Sequence, residues 1–280
     1  MSNGDRERII RRILVALDAS PHSLAALRAA AELAAELDAE LMGLYVEDIN
    51  LLRLSELPFA REVTVYAAAP RQLDRTQVQR QLRAQATQAR RALAAIAGNS
   101  NVRWEFRVAQ GLIGAEVLSA AQEFDLVLLG KSGWSRRRLG STARLVVSRA
   151  PRLTMIIQQG VQISMPIGIL YDGSPESKTA LLLARDLLRY REGFIVALIR
   201  ADTPEKARLY QSEISEWARQ SGVHVHYRWL LESDKERLYQ LVGAENCGLL
   251  VLPGGGDFLQ AEDMAKVLEN AHCPVLLVRS

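Results

Sequence analysis

The sequence predicts an α/β protein of two tandem open parallel five-stranded sheets with helices on both faces. Three observations carry that expectation. Short apolar runs bounded by glycine, such as Leu126–Leu129 ahead of Gly130, read as strands buried on both faces. They alternate with longer stretches whose apolar residues recur at helical spacing, the pattern of parallel strands joined by right-handed crossovers. The whole pattern then occurs twice. ILVALDASPHSLAAL (13–27) aligns without a gap to IGILYDGSPESKTAL (167–181), and FDLVLLGKSG (124–133) lies over CGLLVLPGGG (247–256). RAPRLTMII (149–157) corresponds more loosely to NAHCPVLLV (270–278). Two copies in the same internal order indicate duplication of a whole domain. The expected division is 1–159 and 160–280, with a linker near 158–166 where Gly160 and Pro166 interrupt the pattern.

In the first copy a strand is expected at 12–17, followed by a helix at 21–37 with Leu24, Leu27, Ala31, Ala34 and Leu37 along one side. A second strand covers 40–46. Residues 47–71 show mixed composition and read as irregular. A long helix follows at 73–97, with Val78, Leu82, Ala89, Leu93 and Ile96 on one side and Gly98 as its stop. Strand 102–109, helix 112–123, strand 125–129, helix 141–149 and strand 153–157 complete the copy. The second copy places strands near 167–171, 194–199, 223–231, 248–252 and 274–278, and it lacks a counterpart of 47–71.

Composition narrows the class. A chain of 280 residues with 49% hydrophobic and 24% charged residues is ordinary for a globular protein of one or two domains. No apolar run approaches the ~20 residues that span a bilayer, and the N-terminus has no apolar signal-peptide core, so a cytoplasmic location is expected. Cys247 and Cys273 provide neither a disulfide framework nor enough metal ligands. The net charge of +3 is a mild excess without a concentrated basic face beyond Arg136–Arg138, which argues against nucleic-acid binding.

The candidate site lies at 124–142, FDLVLLGKSGWSRRRLGST. A buried strand ends in Gly130, where glycine permits positive φ and close approach of a ligand. Gly133 follows, then Trp134 and three arginines. Gly140, Ser141 and Thr142 stand ahead of the next helix, whose first-turn N–H groups attract anions. These parts describe a phosphate cradle. They equally describe an ordinary strand-to-helix turn with solvated arginines. Asp18 also follows a strand end, and in open parallel sheets ligands bind beyond the carboxyl ends of strands where the winding reverses. The geometry suits a nucleotide, with the carboxylate near sugar or base.

Strand-Asp-x-Ser near the start, then G-x-x-G, a spacer and G-[ST] before the last helix, resembles the universal stress protein family, over nearly the whole chain as two tandem domains. The resemblance implies strand order 3-2-1-4-5 in each sheet. It implies an ATP site in the first domain, with or without magnesium, formed by Asp18 and Val46 on the adenosine side and by Gly130, Gly133, Gly140, Ser141 and Thr142 on the phosphates. The six-residue spacer 134–139 is shorter than the family pattern. The second copy keeps Asp172 and Ser174, but Asp257 follows its glycines and no G-[ST] occurs, so it is expected to be degenerate and to pair with the first copy.

Other motifs carry less. His224 and His226 share one strand face and could bind a metal, although no third ligand stands at ligand spacing. No base accompanies Ser20 or Ser132, and no G-x-x-x-x-G-K-[ST] occurs, so no catalytic residue is assigned. The apolar segment INLLRLSELPF (49–59) reads as a lid, a partner surface or local packing. The expected function is a non-catalytic stress-response module. In it, ATP orders the 130–142 loop and the 47–71 segment, an unidentified protein partner reads the change, and the chain can form a homodimer. The rivals are a slow ATPase and a nucleotide-free scaffold.

Overall fold

The structure, a computed structural model, describes residues 9–57, 61–62, 71–72, 74–132, 139–149, 152–231, 235–254 and 261–279. The first half runs β1 (Arg12–Leu17), α1 (Pro21–Leu37), β2 (Glu40–Asp48), α2 (Ile49–Leu54), β3 (Arg61–Glu62), β4 (Arg71–Gln72), α3 (Arg75–Asn99), β5 (Trp104–Gly111), α4 (Ile113–Ala121), β6 (Leu126–Gly130), α5 (Ser141–Arg149) and β7 (Leu153–Ile157). The second runs β8 (Ile167–Tyr171), α6 (Pro175–Leu188), β9 (Ile195–Ala201), α7 (Pro204–Ser221), β10 (Val225–Leu231), α8 (Lys235–Ala244), β11 (Leu249–Pro253), α9 (Ala261–Asn270) and β12 (Val275–Val278).

Each half has the expected order: β5-β2-β1-β6-β7 in the first and β10-β9-β8-β11-β12 in the second. The halves do not remain separate sheets. Their last strands pair antiparallel, Val275 opposite Ile156 and Leu277 opposite Thr154, giving one ten-stranded sheet. All other pairs in it are parallel.

Burial explains the apolar runs. On β1, Ile13, Val15 and Leu17 face one layer of helices while Leu14 faces the other. The first layer contains buried residues of α1, α3, α6 and α7, and the second those of α4, α5, α8 and α9. A strand covered on both sides gains nothing from polar alternation, so its sequence is continuously hydrophobic. Both halves contribute to both layers, so the core continues across the β7–β12 seam.

Two local expectations need correction. The 47–71 segment is not wholly irregular: β2 extends through Asp48, whose carboxylate accepts the Asn50 N–H (2.9 Å) and caps α2. Leu52 packs on Val78 and Leu82 of α3, whereas Leu51, Leu54 and Leu57 are exposed. A helix this short shows too little periodicity to read from sequence. Nor does Gly98 stop α3, which runs through it to Asn99. Asn101 takes the left-handed turn, φ 52°, in a region where asparagine is tolerated.

Candidate functional site

β1 and β6 are neighbours, and between them the winding reverses, β2 and β5 lying to one side and β7 to the other. The loops leaving their carboxyl ends therefore diverge and open a crevice. From β1 the chain bends at Asp18-Ala19-Ser20 into α1. Ala19 takes φ 59°, a left-handed conformation costing a non-glycine residue about 1 kcal/mol. Hydrogen bonds hold the bend in place. The Asp18 carboxylate accepts the Ser20 N–H (2.9 Å), and the fully buried Ser20 accepts the Ser23 N–H at its hydroxyl (3.2 Å), capping the helix.

From β6 the chain passes Gly130, which does not take positive φ. It is needed for another reason: a Cβ there would come within 2.8 Å of the His22 carbonyl carbon and 2.9 Å of Ser23 N. Glycine lets β6 lie against the first turn of α1, so it shapes the site from behind and not by a left-handed turn under the ligand. Lys131 faces away from the crevice. Its Nζ donates to Gln158 Oε1 (3.2 Å) and to the Glu269 carbonyl (2.7 Å), and burial pulls its pKa below the usual lysine range.

The chain returns at Leu139. Gly140 donates its N–H to the Lys131 carbonyl (2.9 Å) and accepts the Arg144 N–H at its own carbonyl (2.9 Å), so α5 begins at Ser141. Gly140 thus spends its amide closing the turn. The N–H groups left without an intrahelical acceptor belong to the first turn that follows, Ser141 to Ala143.

Around these elements lies a crevice of about 230 Å³, lined by Asp18, Ser20, Val46, Gly130, Ser132, Gly140, Ser141 and Thr142 among others. Of the residues singled out in the sequence, Asp18, Val46, Gly130, Gly140, Ser141 and Thr142 all line this one crevice. Gly133, with Trp134 and Arg136–Arg138, lies outside the described residues. Sequence reasoning missed the apolar wall formed by Leu44, Leu129, Ile113 and Val117. The i, i+4 spacing of Ile113 and Val117 on α4 was the available signal. Beside the crevice, the Tyr45 hydroxyl donates to Gln85 Oε1 (2.9 Å). Burial, then the Glu47 and Asp18 carboxylates, push its pKa up to about 12.

The matching position in the second half is built alike at its base and covered above. Asp172 accepts the Ser174 N–H (3.0 Å), and Ser174 caps α6 through the Ser177 N–H (3.2 Å). Gly173, at φ 82°, lies under the Tyr210 ring, which a Cβ there would meet at 2.6 Å. Arg279 crosses the end of β11 at Gly254, donating to its carbonyl (3.3 Å) and to the Val147 carbonyl of the first half. Asp257 lies outside the described residues.

Among the described residues no three His, Cys, Asp or Glu side chains assemble as a metal site. His226 stacks against Phe194, ring centroids 4.3 Å apart, and His22 accepts the Gln159 N–H at Nδ1 (3.0 Å). Both cysteines are buried free thiols.

A doubly wound sheet with a crevice at its switch point, lined by Asp18 and an apolar wall, defines a class of ligand-binding α/β folds. Within that class the chain belongs to the universal stress protein family, whose family model matches residues 10–158. Among solved structures, a universal stress protein from Archaeoglobus fulgidus is similar at 14% identity and TM-score 0.76, covering 98% of this chain and 99% of that one. A universal stress protein from Pseudomonas aeruginosa is similar at 12% identity and TM-score 0.60, covering 96% and 93%. At these identities the likeness speaks for the fold. No curated protein matches the sequence.

Proposed function

We propose that this protein binds ATP in the crevice between β1 and β6 and acts as a non-catalytic stress-response module. One observation carries the reading: residues from six elements and the turns between them line a single crevice whose two ends suit the two ends of a nucleotide. Leu44, Val46, Ile113, Val117 and Leu129 offer an apolar slot for a base, and Asp18 offers a carboxylate to ribose hydroxyls. The first turn of α5 presents amide donors and the Ser141 and Thr142 hydroxyls to phosphates. Among the described residues Asp18 is the sole carboxylate lining the crevice, so a magnesium ion would rest chiefly on the phosphate oxygens and water.

The same count favours sensing over hydrolysis. Hydrolysis needs a base that orients water at the terminal phosphate, and Asp18 stands at the β1 end and not beside α5. The nucleotide then serves as a signal: its presence changes the surface around the α5 end of the crevice, which a partner protein reads. Buried free thiols suit a reducing cytoplasm.

Purified protein, denatured and assayed by mass spectrometry for released adenine nucleotide, tests the reading. Intact ATP in the wild type, lost in Gly140→Asp, is the expected result. ADP accumulating with time would reassign the protein to a slow ATPase. Empty protein that also fails to bind ATP by calorimetry at millimolar concentration would overturn the proposal in favour of a scaffold.

A further inference from the structure

One residue of the second half contacts both Lys131, just past β6, and Leu139, just ahead of α5. Lys131 Nζ donates to the main-chain oxygen of Glu269 on α9 (2.7 Å). The Leu139 N–H donates to Glu269 Oε1 (3.3 Å). Arg144, in α5, pairs with the same carboxylate oxygen at 3.6 Å. The two segments are joined directly as well, through the Gly140 N–H and the Lys131 carbonyl. Leu139 is only 4% exposed, so its amide needs a protein acceptor, and Glu269 supplies one.

We propose that Glu269 is a positioning residue for the nucleotide: from α9 of the second half it fixes where α5 starts in the first, and thereby aims the Ser141–Ala143 amides at the phosphates. The inference rests on the ATP reading above. Glu269 does not line the crevice and acts through Lys131, Leu139 and Arg144, with Gly140 tied in turn to the Lys131 carbonyl. The second half therefore contributes a working part of the first half's site, although its own strand end at Gly254 is covered by Arg279. The base and sugar end of the crevice is built from β1, β2, β6 and α4, none of which Glu269 touches in these contacts. Its influence falls on phosphate recognition.

Calorimetric titration of the full chain with ATP and with adenosine, in wild type, Glu269→Ala and Glu269→Gln, separates this from a general structural role. Removing a charge-assisted hydrogen bond to a buried amide should weaken ATP about five- to tenfold in Glu269→Ala while adenosine stays within about twofold. Glu269→Gln keeps an oxygen acceptor without the charge and should fall between. Equal losses for ATP and adenosine, or no loss for ATP, would overturn the proposal. If the wild type bound neither compound, the ATP reading would fall, and amide exchange would then judge the positioning role. Glu269→Ala should speed exchange of the Leu139 amide and the first turn of α5 about tenfold, well beyond any change at the slowest-exchanging core amides. Unchanged exchange there would count against it.

Discussion

Lys131 Nζ donates to the main-chain carbonyl of Glu269 over 2.7 Å, across 138 positions of sequence, and Arg279 donates in the other direction, to the Val147 carbonyl of the first half. Both acceptors lie in the last turn of a helix, α9 and α5, where carbonyls lack intrahelical partners and the dipole favours cations. Each half thus sends one cation from a strand end across the β7–β12 seam to complete a helix of the other. The halves repeat at the main-chain level, where the Lys131 N–H to Ile157 carbonyl bond recurs as Gly254 to Val278, both 2.7 Å; that equates Lys131 with Gly254, so the two cations stand at non-equivalent positions of the repeat.

Lys131→Met should therefore lower stability by about 1–3 kcal/mol, the cost of a lost hydrogen bond to a charged donor, measured as a fall in the urea midpoint. Arg279→Met should act in the same direction. A surface lysine such as Lys178, changed to Met as control, should move the midpoint little.

Gly130 and Gly173 are each held by close approach at a strand-to-helix junction. Gly130→Ala drives a methyl into the His22 backbone and should cost about 1–3 kcal/mol while displacing the first turn of α1 toward the crevice. Gly173→Ala adds a left-handed alanine to a clash with the Tyr210 ring and should cost at least as much. Thermal unfolding of both variants checks the order, and nucleotide binding should fall for Gly130→Ala alone.

The serine caps offer a paired comparison. Ser20→Ala and Ser174→Ala each remove the acceptor for a first-turn amide and should destabilise by about 0.5–2 kcal/mol. Ser20 also lines the crevice, so only its variant should weaken ATP in calorimetry.

Alkaline stability follows from buried acids. Burial, with the neighbouring Cys273 adding to it, pushes the Cys247 thiol up to about 12, and burial pushes Cys273 to about 11. Tyr45 is likewise raised to about 12, and Tyr171 is raised by burial and its hydrogen bond to Glu213. Folded pKa values above the unfolded ones mean that the native state holds more protons over that interval, so stability falls as pH rises. It should be intact below about pH 8.5 and decline between about pH 9 and pH 12, seen as a falling melting temperature. At pH 8 both thiols should resist an alkylating reagent until urea unfolds the chain.

The legible part of the fold was the part written in local chemistry. Leu126–Leu129 and Ile167–Tyr171 are continuous apolar runs because each is covered on two faces. Ser20-Pro21 and Ser174-Pro175 announce helix starts because a side-chain acceptor and a fixed φ are local properties. Asp18, Gly130, Gly140 and Ser141 stand out in the sequence because strand ends and helix starts carry recognisable residues. The short helix α2 and the true end of α3 were not legible. The first spans too few turns to show a period, and the second depends on Asn101, not on the glycine that precedes it.

By itself the sequence determined the duplicated alternation of strands and helices and the placing of Asp18 and Asp172 just past strand ends. Those follow from the reach of a side chain over a few positions of its own backbone. Only the tertiary structure decided that β7 and β12 pair antiparallel into one sheet, that Gly130 is small for the sake of His22, and that Lys131 points away from the crevice to Glu269. Contacts between residues 138 positions apart leave no periodic trace in the chain. They exist because two packed halves bring helix ends and buried cations together, and each then satisfies what the other lacks.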